Sequence, residues 1–217
     1  MSNDTFGLRS VFVVFAVCIA TWFGSAASAE APDALGALLE RFKTVEGWSA
    51  RFVEEKKIEL LSQPLVNSGR IDYSRPRRLE RRTLRPFESL WRLEEFLVTI
   101  EDAGEQTTID LRRYPEAHVL ATALMDVLEG DIHRLRKNFD VSFAAQHAEN
   151  PWTLELKPPR NHTGALFRRI EISGLGVALR RLVVVEQSGD TSTTDFSTLR
   201  IEPSADRHEL NQTHGVR

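Results

Sequence analysis

The sequence predicts a mainly β domain: about eleven antiparallel strands curled into a barrel or half-barrel, with three helices covering the concave side. Two observations carry this. Short extended runs recur along most of the chain between Pro- and Gly-containing turns, and a helical segment interrupts them only at the start and in the middle.

Leu35, Leu38, Leu39, Phe42 and Val45 recur at helical spacing behind the capping candidate Asp33, and Gly47 is expected to end that helix. Extended runs follow over Ser49–Leu60, Leu65–Ser74, Arg78–Leu84, Ser89–Glu94, Leu97–Glu101 and Thr107–Leu111. Gln63-Pro64, Arg75-Pro76, Arg85-Pro86 and Asp102-Ala103-Gly104 separate them, as in an antiparallel meander. Pro115 opens a helix whose apolar stripe, Val119, Leu120, Ala123, Leu124, Val127 and Leu128, stops at Gly130. A third helix starts at Asp131, with Ile132, Leu135 and Phe139 facing inward. The sheet resumes with Asp140–Ala144, Trp152–Lys157, Arg168–Ser173, Leu179–Gln187 and Thr193–Ile201. Trp152, Leu154 and Leu156 alternate with polar residues, as do Ile170 and Ile172, so one face of the sheet is apolar.

The amino terminus reads as an export signal. Arg9 precedes an apolar run over residues 11–23, too short to span a bilayer as a helix, and Ala27-Ser28-Ala29 forms a cleavage site before Glu30. The expected organisation is a signal peptide over 1–29, one domain over 30–203 and a polar tail over 204–217. Cys18, the one cysteine, lies in the leader and follows Val17 rather than a small residue, so no lipidation is expected and the mature chain carries no thiol. An exported chain without disulfides fits a bacterial periplasm better than a eukaryotic exterior. The sequons at Asn161 and Asn211 are read as chance occurrences.

A net charge of -3 gives no reason to expect nucleic acid. Arg70, Arg75, Arg77, Arg78, Arg81, Arg82 and Arg85 crowd one stretch, which reads either as an anion-binding patch or as a solvated strand face offset by Glu80 and Glu88. No catalytic constellation stands out. Glu129 and His133 stand four apart with Asp126 nearby but lack a third ligand at a telling spacing, and Gly-x-Ser-x-Gly, Gly-rich phosphate loops and His-Glu-x-x-His are absent. The expectation is a non-enzyme with no cofactor and no metal.

An apolar inner face either fills with side chains or leaves a hollow for a greasy ligand, and periodicity does not separate the two. The candidates for lining such a hollow are Trp48, Phe52, Trp91, Phe96, Trp152, Leu154, Leu156, Phe167, Ile170 and Ile172, with plain core as the alternative.

The order of signal, helix, strands, helical insert and strands resembles the outer-membrane lipoprotein carrier (LolA-like) family. Ser68-Gly69-Arg70-Ile71-Asp72-Tyr73-Ser74-Arg75-Pro76, followed by Arg78 to Pro86, is similar to the family's glycine-containing strand, Arg-Pro pair and second proline. Leu128-Glu129-Gly130-Asp131, Leu135 and Phe139, and the late Ser188-Gly189-Asp190-Thr191 turn, resemble a divergent branch. The resemblance implies a half-open antiparallel β-barrel with a helical lid, and a periplasmic carrier, expected as a monomer, that encloses acylated cargo, a lipoprotein or another envelope lipid, between an inner-membrane donor complex and an outer-membrane acceptor. It also implies that Arg75 ties the inner strands to the helical lid and lets go when cargo enters. Where the standard carriers show an aromatic-rich hairpin, this chain has Ile100-Glu101-Asp102-Ala103-Gly104-Glu105, which leaves the cargo open. A lipid-sensing or interaction protein built on the same barrel is the other reading.

Overall fold

The computed structural model describes residues 34–145, 150–159 and 165–203, so the expected leader and the polar tail lie outside the described residues. The elements in chain order are α1 (Ala34–Lys43), β1 (Val45–Lys57), β2 (Leu65–Ser74), β3 (Arg78–Arg85), β4 (Ser89–Glu94), β5 (Leu97–Asp102) and β6 (Glu105–Asp110). A 3-10 turn (Leu111–Arg113), α2 (Pro115–Leu128) and α3 (Ile132–Asn138) follow. The chain then enters β7 (Asp140–Ala144), β8 (Pro151–Lys157), β9 (Phe167–Leu175), β10 (Ala178–Glu186) and β11 (Thr191–Pro203).

All eleven strands form one sheet in the order β6-β5-β4-β3-β2-β1-β11-β10-β9-β8-β7, antiparallel at every pair. The sheet is open: β6 and β7 are its edges, and the segment carrying α2 and α3 connects them. The predicted half-open barrel with three helices is the observed fold.

The strands exist because apolar and polar residues alternate. Trp48, Ala50 and Phe52 of β1, Ile71 and Tyr73 of β2, Leu154 and Leu156 of β8, and Ile170 and Ile172 of β9 belong to one buried cluster. The helices supply its other side through Leu35, Leu38, Leu39 and Phe42 of α1, Ala123, Leu124, Val127 and Leu128 of α2, and Leu135 of α3. Phe42 meets Trp152 edge-on at 6.1 Å between ring centroids. Gly130, at φ +68°, turns the chain from α2 to α3, and a Cβ there would stand 2.3 Å from the Leu39 carbonyl oxygen of α1. Asp131 caps α3 by accepting a hydrogen bond from the Arg134 N–H.

One boundary differs from the sequence reading. Helix α1 ends at Lys43, not at Gly47; Val45 pairs with Pro203, and Gly47, inside β1, pairs with Ser74 and Glu202. The helical spacing of Val45 is coincidental, since it is buried from the strand instead. β1 also stops at Lys57, leaving Leu60 93% exposed in the loop that follows. No described helix is long and apolar enough to cross a membrane.

Candidate functional site

The inner face of β1 changes character along its length. Trp48, Ala50 and Phe52 are buried apolar residues; two and four positions further on, the same face carries Glu54 and Lys56. Where that change occurs, the core does not fill the space between sheet and helix. A hollow of about 240 Å3 remains, walled by Phe52, Ile71, Leu93, Val98 and Phe196 from the strands and by Leu120 and Leu124 from α2. Trp91, which pairs with Arg81 across β3 and β4, stands at its edge, 47% exposed. A wider hollow of about 720 Å3 lies at the loop after β1 and the β10–β11 turn, but Lys57, Glu59, Ser62, Gln63 and Arg168 share its wall with Ile58, Leu61 and Pro64, so it is of mixed character.

Helix α2 is therefore the cover of the apolar hollow, and its carboxyl end is held to the sheet by two arginines. The Arg75 guanidinium donates through Nε to the Val45 carbonyl at 2.7 Å and through Nη1 to the Glu129 carboxylate at 3.0 Å. Its Nη2 faces the carbonyls of Phe42, Leu128 and Glu129 at 3.0, 3.2 and 3.3 Å. One side chain thus ties β1 and the last turns of α1 and α2 together, satisfying carbonyls that helix ends leave without partners. Arg77 donates from its backbone N–H to Glu129 at 3.1 Å and from Nη1 to Asp126 at 2.9 Å. The Tyr73 hydroxyl donates to the same Glu129 oxygen as the Arg77 N–H, leaving the other to Arg75, and burial together with that carboxylate pushes the phenol above its ordinary value. Burial also pushes the Asp126 carboxyl up, while Arg77 opposes the shift. His118, earlier on α2, stacks on Phe96 at 5.0 Å, and burial, with Arg77 and Arg134 nearby, holds its imidazole below the usual range.

A third ion pair sits at the hollow itself. Arg81 Nη2 donates to Glu54 at 2.7 Å, Asn67 donates to the same carboxylate oxygen at 2.9 Å, and the Arg81 guanidinium carbon lies 4.4 Å from the centre of the Phe52 ring.

Of the ten proposed lining residues, Phe52 and Trp91 border this hollow. Trp48, Trp152, Leu154, Leu156, Phe167, Ile170 and Ile172 are buried within the packed cluster, and Phe96 is 39% exposed against His118. Trp152 donates from Nε1 to the Gly176 carbonyl at 2.8 Å, a partner expected of a buried indole. The crowded arginines divide. Arg70, Arg78 and Arg82 pair with Asp72, Glu94 and Glu80, whereas Arg75, Arg77 and Arg81 reach carboxylates on α2 or inside the hollow. Asp126 and Glu129, weighed with His133 as metal ligands, are arginine partners instead; among the described residues no group of three metal-ligating side chains gathers.

The family profile described as outer membrane lipoprotein carrier protein LolA-like matches residues 26–205. The chain belongs to the LolA-like family. Solved structures resemble this chain at low identity and with TM-scores below 0.5. A LolA superfamily protein from Nitrosomonas europaea is 8% identical, with 82% of this chain and 96% of that chain covered and a TM-score of 0.40. The Pseudomonas aeruginosa MucA/MucB complex gives 12% identity, 81% and 60% coverage and a TM-score of 0.46. The Mycobacterium tuberculosis lipoprotein LppX gives 10%, 77%, 95% and 0.40 in the same order. Among curated proteins, none matches this sequence.

Proposed function

We propose that this LolA-like chain is a periplasmic carrier that binds acylated cargo, a lipoprotein or another envelope lipid, in the hollow under α2, and that it acts by binding rather than by catalysis. The observation that carries the proposal is the apolar hollow roofed by Leu120 and Leu124 of a helix whose far end is clamped by Arg75 and Arg77.

Magnitudes make α2 the moving part. If a methylene fills the ~30 Å3 of a liquid water molecule, a hollow of about 240 Å3 holds roughly eight, so a longer chain requires the cover to swing outward. Burying roughly eight methylenes contributes on the order of 6 kcal/mol. Opening the latch exposes both partners of the ion pair to water, so it costs no more than the about 3–5 kcal/mol of stripping one buried partner from the other. The gain from burying the chain can meet that cost, so cargo can open the cover while the empty protein keeps it shut. Arg75 is the latch in this scheme, and the carrier moves between a donor complex at the inner membrane and an acceptor at the outer membrane.

The test is native mass spectrometry of protein purified from a bacterial envelope, followed by organic extraction and lipid analysis, alongside uptake of a fluorescent acyl probe. Leu120→Trp is expected to fill the hollow, keep the fold and abolish uptake. A clean apo mass and no uptake by the unmodified protein would return the chain to the interaction-protein reading.

A further inference from the structure

We infer that the hollow selects cargo by charge: it takes a single-chain amphiphile whose head is anionic, a carboxylate or phosphate, with the head on Arg81 and the tail under α2. This rests on the acyl-binding proposal above and narrows it, because the neutral glyceryl end of a lipoprotein does not satisfy the same site.

The hollow is polarised. Phe52, Ile71 and Leu124 make one part apolar, while Glu54 and Arg81 form an ion pair where the inner face of β1 turns from aromatic to charged. An ion pair on an apolar wall is costly to desolvate and adds little to stability against an apolar replacement, so its presence needs another account. Donors and acceptors are unequally used. The Glu54 side chain is 15% exposed, and one of its oxygens already accepts from both Asn67 and Arg81. The Arg81 side chain is 30% exposed, and among the described residues it gives one hydrogen bond, to Glu54, out of the five N–H groups a guanidinium carries. What the pair presents to an incoming head group is therefore mostly donors, arranged in the fork that matches a carboxylate or phosphate. Glu54 and the Phe52 ring, 4.4 Å beneath the guanidinium, hold that fork in place before the ligand arrives. Lys56, the next charged residue on that face, is engaged by Glu186 at 2.9 Å, and Arg92, which also borders the hollow, is paired with both Glu80 at 3.1 Å and Glu101 at 3.6 Å, whereas Arg81 has Glu54 as its one carboxylate partner among the described residues.

The test is displacement of a bound fluorescent fatty acid by unlabelled dodecanoate, its methyl ester, dodecyl phosphate, a monoacylglycerol and inorganic phosphate. The acid and the alkyl phosphate are expected to displace it at concentrations about tenfold or more below those of the ester and the monoacylglycerol, from one charge-assisted contact. Inorganic phosphate alone is expected to do nothing. Arg81→Met, with its urea midpoint checked, should bring acid and ester to within about twofold of each other, and Glu54→Gln should keep the preference for the acid.

Equal displacement by acid and ester in the unmodified protein overturns the inference while leaving acyl binding intact, and it does so even if Arg81→Met fails to fold. Displacement by inorganic phosphate alone also overturns it, in favour of a free-anion site. Failure of the fatty acid to bind at all removes both this inference and the carrier proposal.

Discussion

Replacing Arg75 by methionine tests the latch directly. Methionine keeps much of the aliphatic stem and removes every donor. Five acceptor contacts are lost, to Val45, Phe42, Leu128 and both the carbonyl and the carboxylate of Glu129. The pair is largely buried, 19% and 17% exposed, so breaking it from one side falls in the regime of about 3–5 kcal/mol. The low end applies, because Glu129 keeps the Tyr73 hydroxyl and the Arg77 N–H and is not left bare. About 3 kcal/mol corresponds to a fall in Tm of roughly 6–12 °C for a domain of this size. Thermal and urea unfolding measure that loss. Amide hydrogen exchange should show the last turn of α2 opening faster than β8 and β9, and acyl uptake should persist with altered release. Arg75→Lys should recover little, since an ammonium cannot reach these separated acceptors at once. A Tm within about 1 °C of the unmodified protein, or full rescue by lysine, would mean that the network does not hold α2.

Other outcomes follow from the packing. Trp152→Ala removes a buried ring and its bond to Gly176, and should cost about 3–5 kcal/mol in urea unfolding. Gly69→Ala places a Cβ 2.0 Å from the Arg82 carbonyl oxygen and 3.0 Å from the Phe52 ring, and should destabilise by about 1–3 kcal/mol through backbone displacement. His118 has its folded value lowered from 6.5, so its contribution to stability is present above 6.5 and is lost as pH falls through that lower value. Tm measured at several pH values below 6.5 should therefore fall more steeply for the unmodified protein than for His118→Gln.

Strand positions were legible because alternation is a local property. β2, β4 and β7 have the predicted bounds, and Pro115, Gly130 and Asp131 mark the ends of α2 and α3 as their chemistry requires. Gly47 misled because a glycine at a helix end and a glycine inside a paired strand look alike in sequence. The site was less visible. On β3 the inner face reads Leu79, Arg81, Thr83, which has no apolar alternation to show that Arg81 points inward. Asp126 on α2 and Glu129 at its C-cap, three apart, share a helix face, and that spacing was the available signal. Their partners at Arg75 and Arg77 are set by the tertiary placement of the β2–β3 turn, which no local pattern reports.

The strand order has a consequence for how this protein is made. Ten antiparallel neighbours define the sheet, and nine of them join strands consecutive along the chain; the remaining seam, β1 against β11, brings Val45 opposite Pro203. Two ladders, β1–β6 and β7–β11, can thus assemble from nearby residues, but each shows a one-sided apolar surface and a bare central edge until the seam closes. Closing it requires the most distant pairing in the molecule, the slow kind of folding step. A chain emerging amino terminus first can pair β1 with β2 early but leaves the other edge of β1 bare throughout the synthesis of everything up to β11, and a bare edge is a template for pairing with other chains. Production of this protein is therefore limited by how long the first ladder can be kept apart from its neighbours, and the loss of β11 alone would strand both halves.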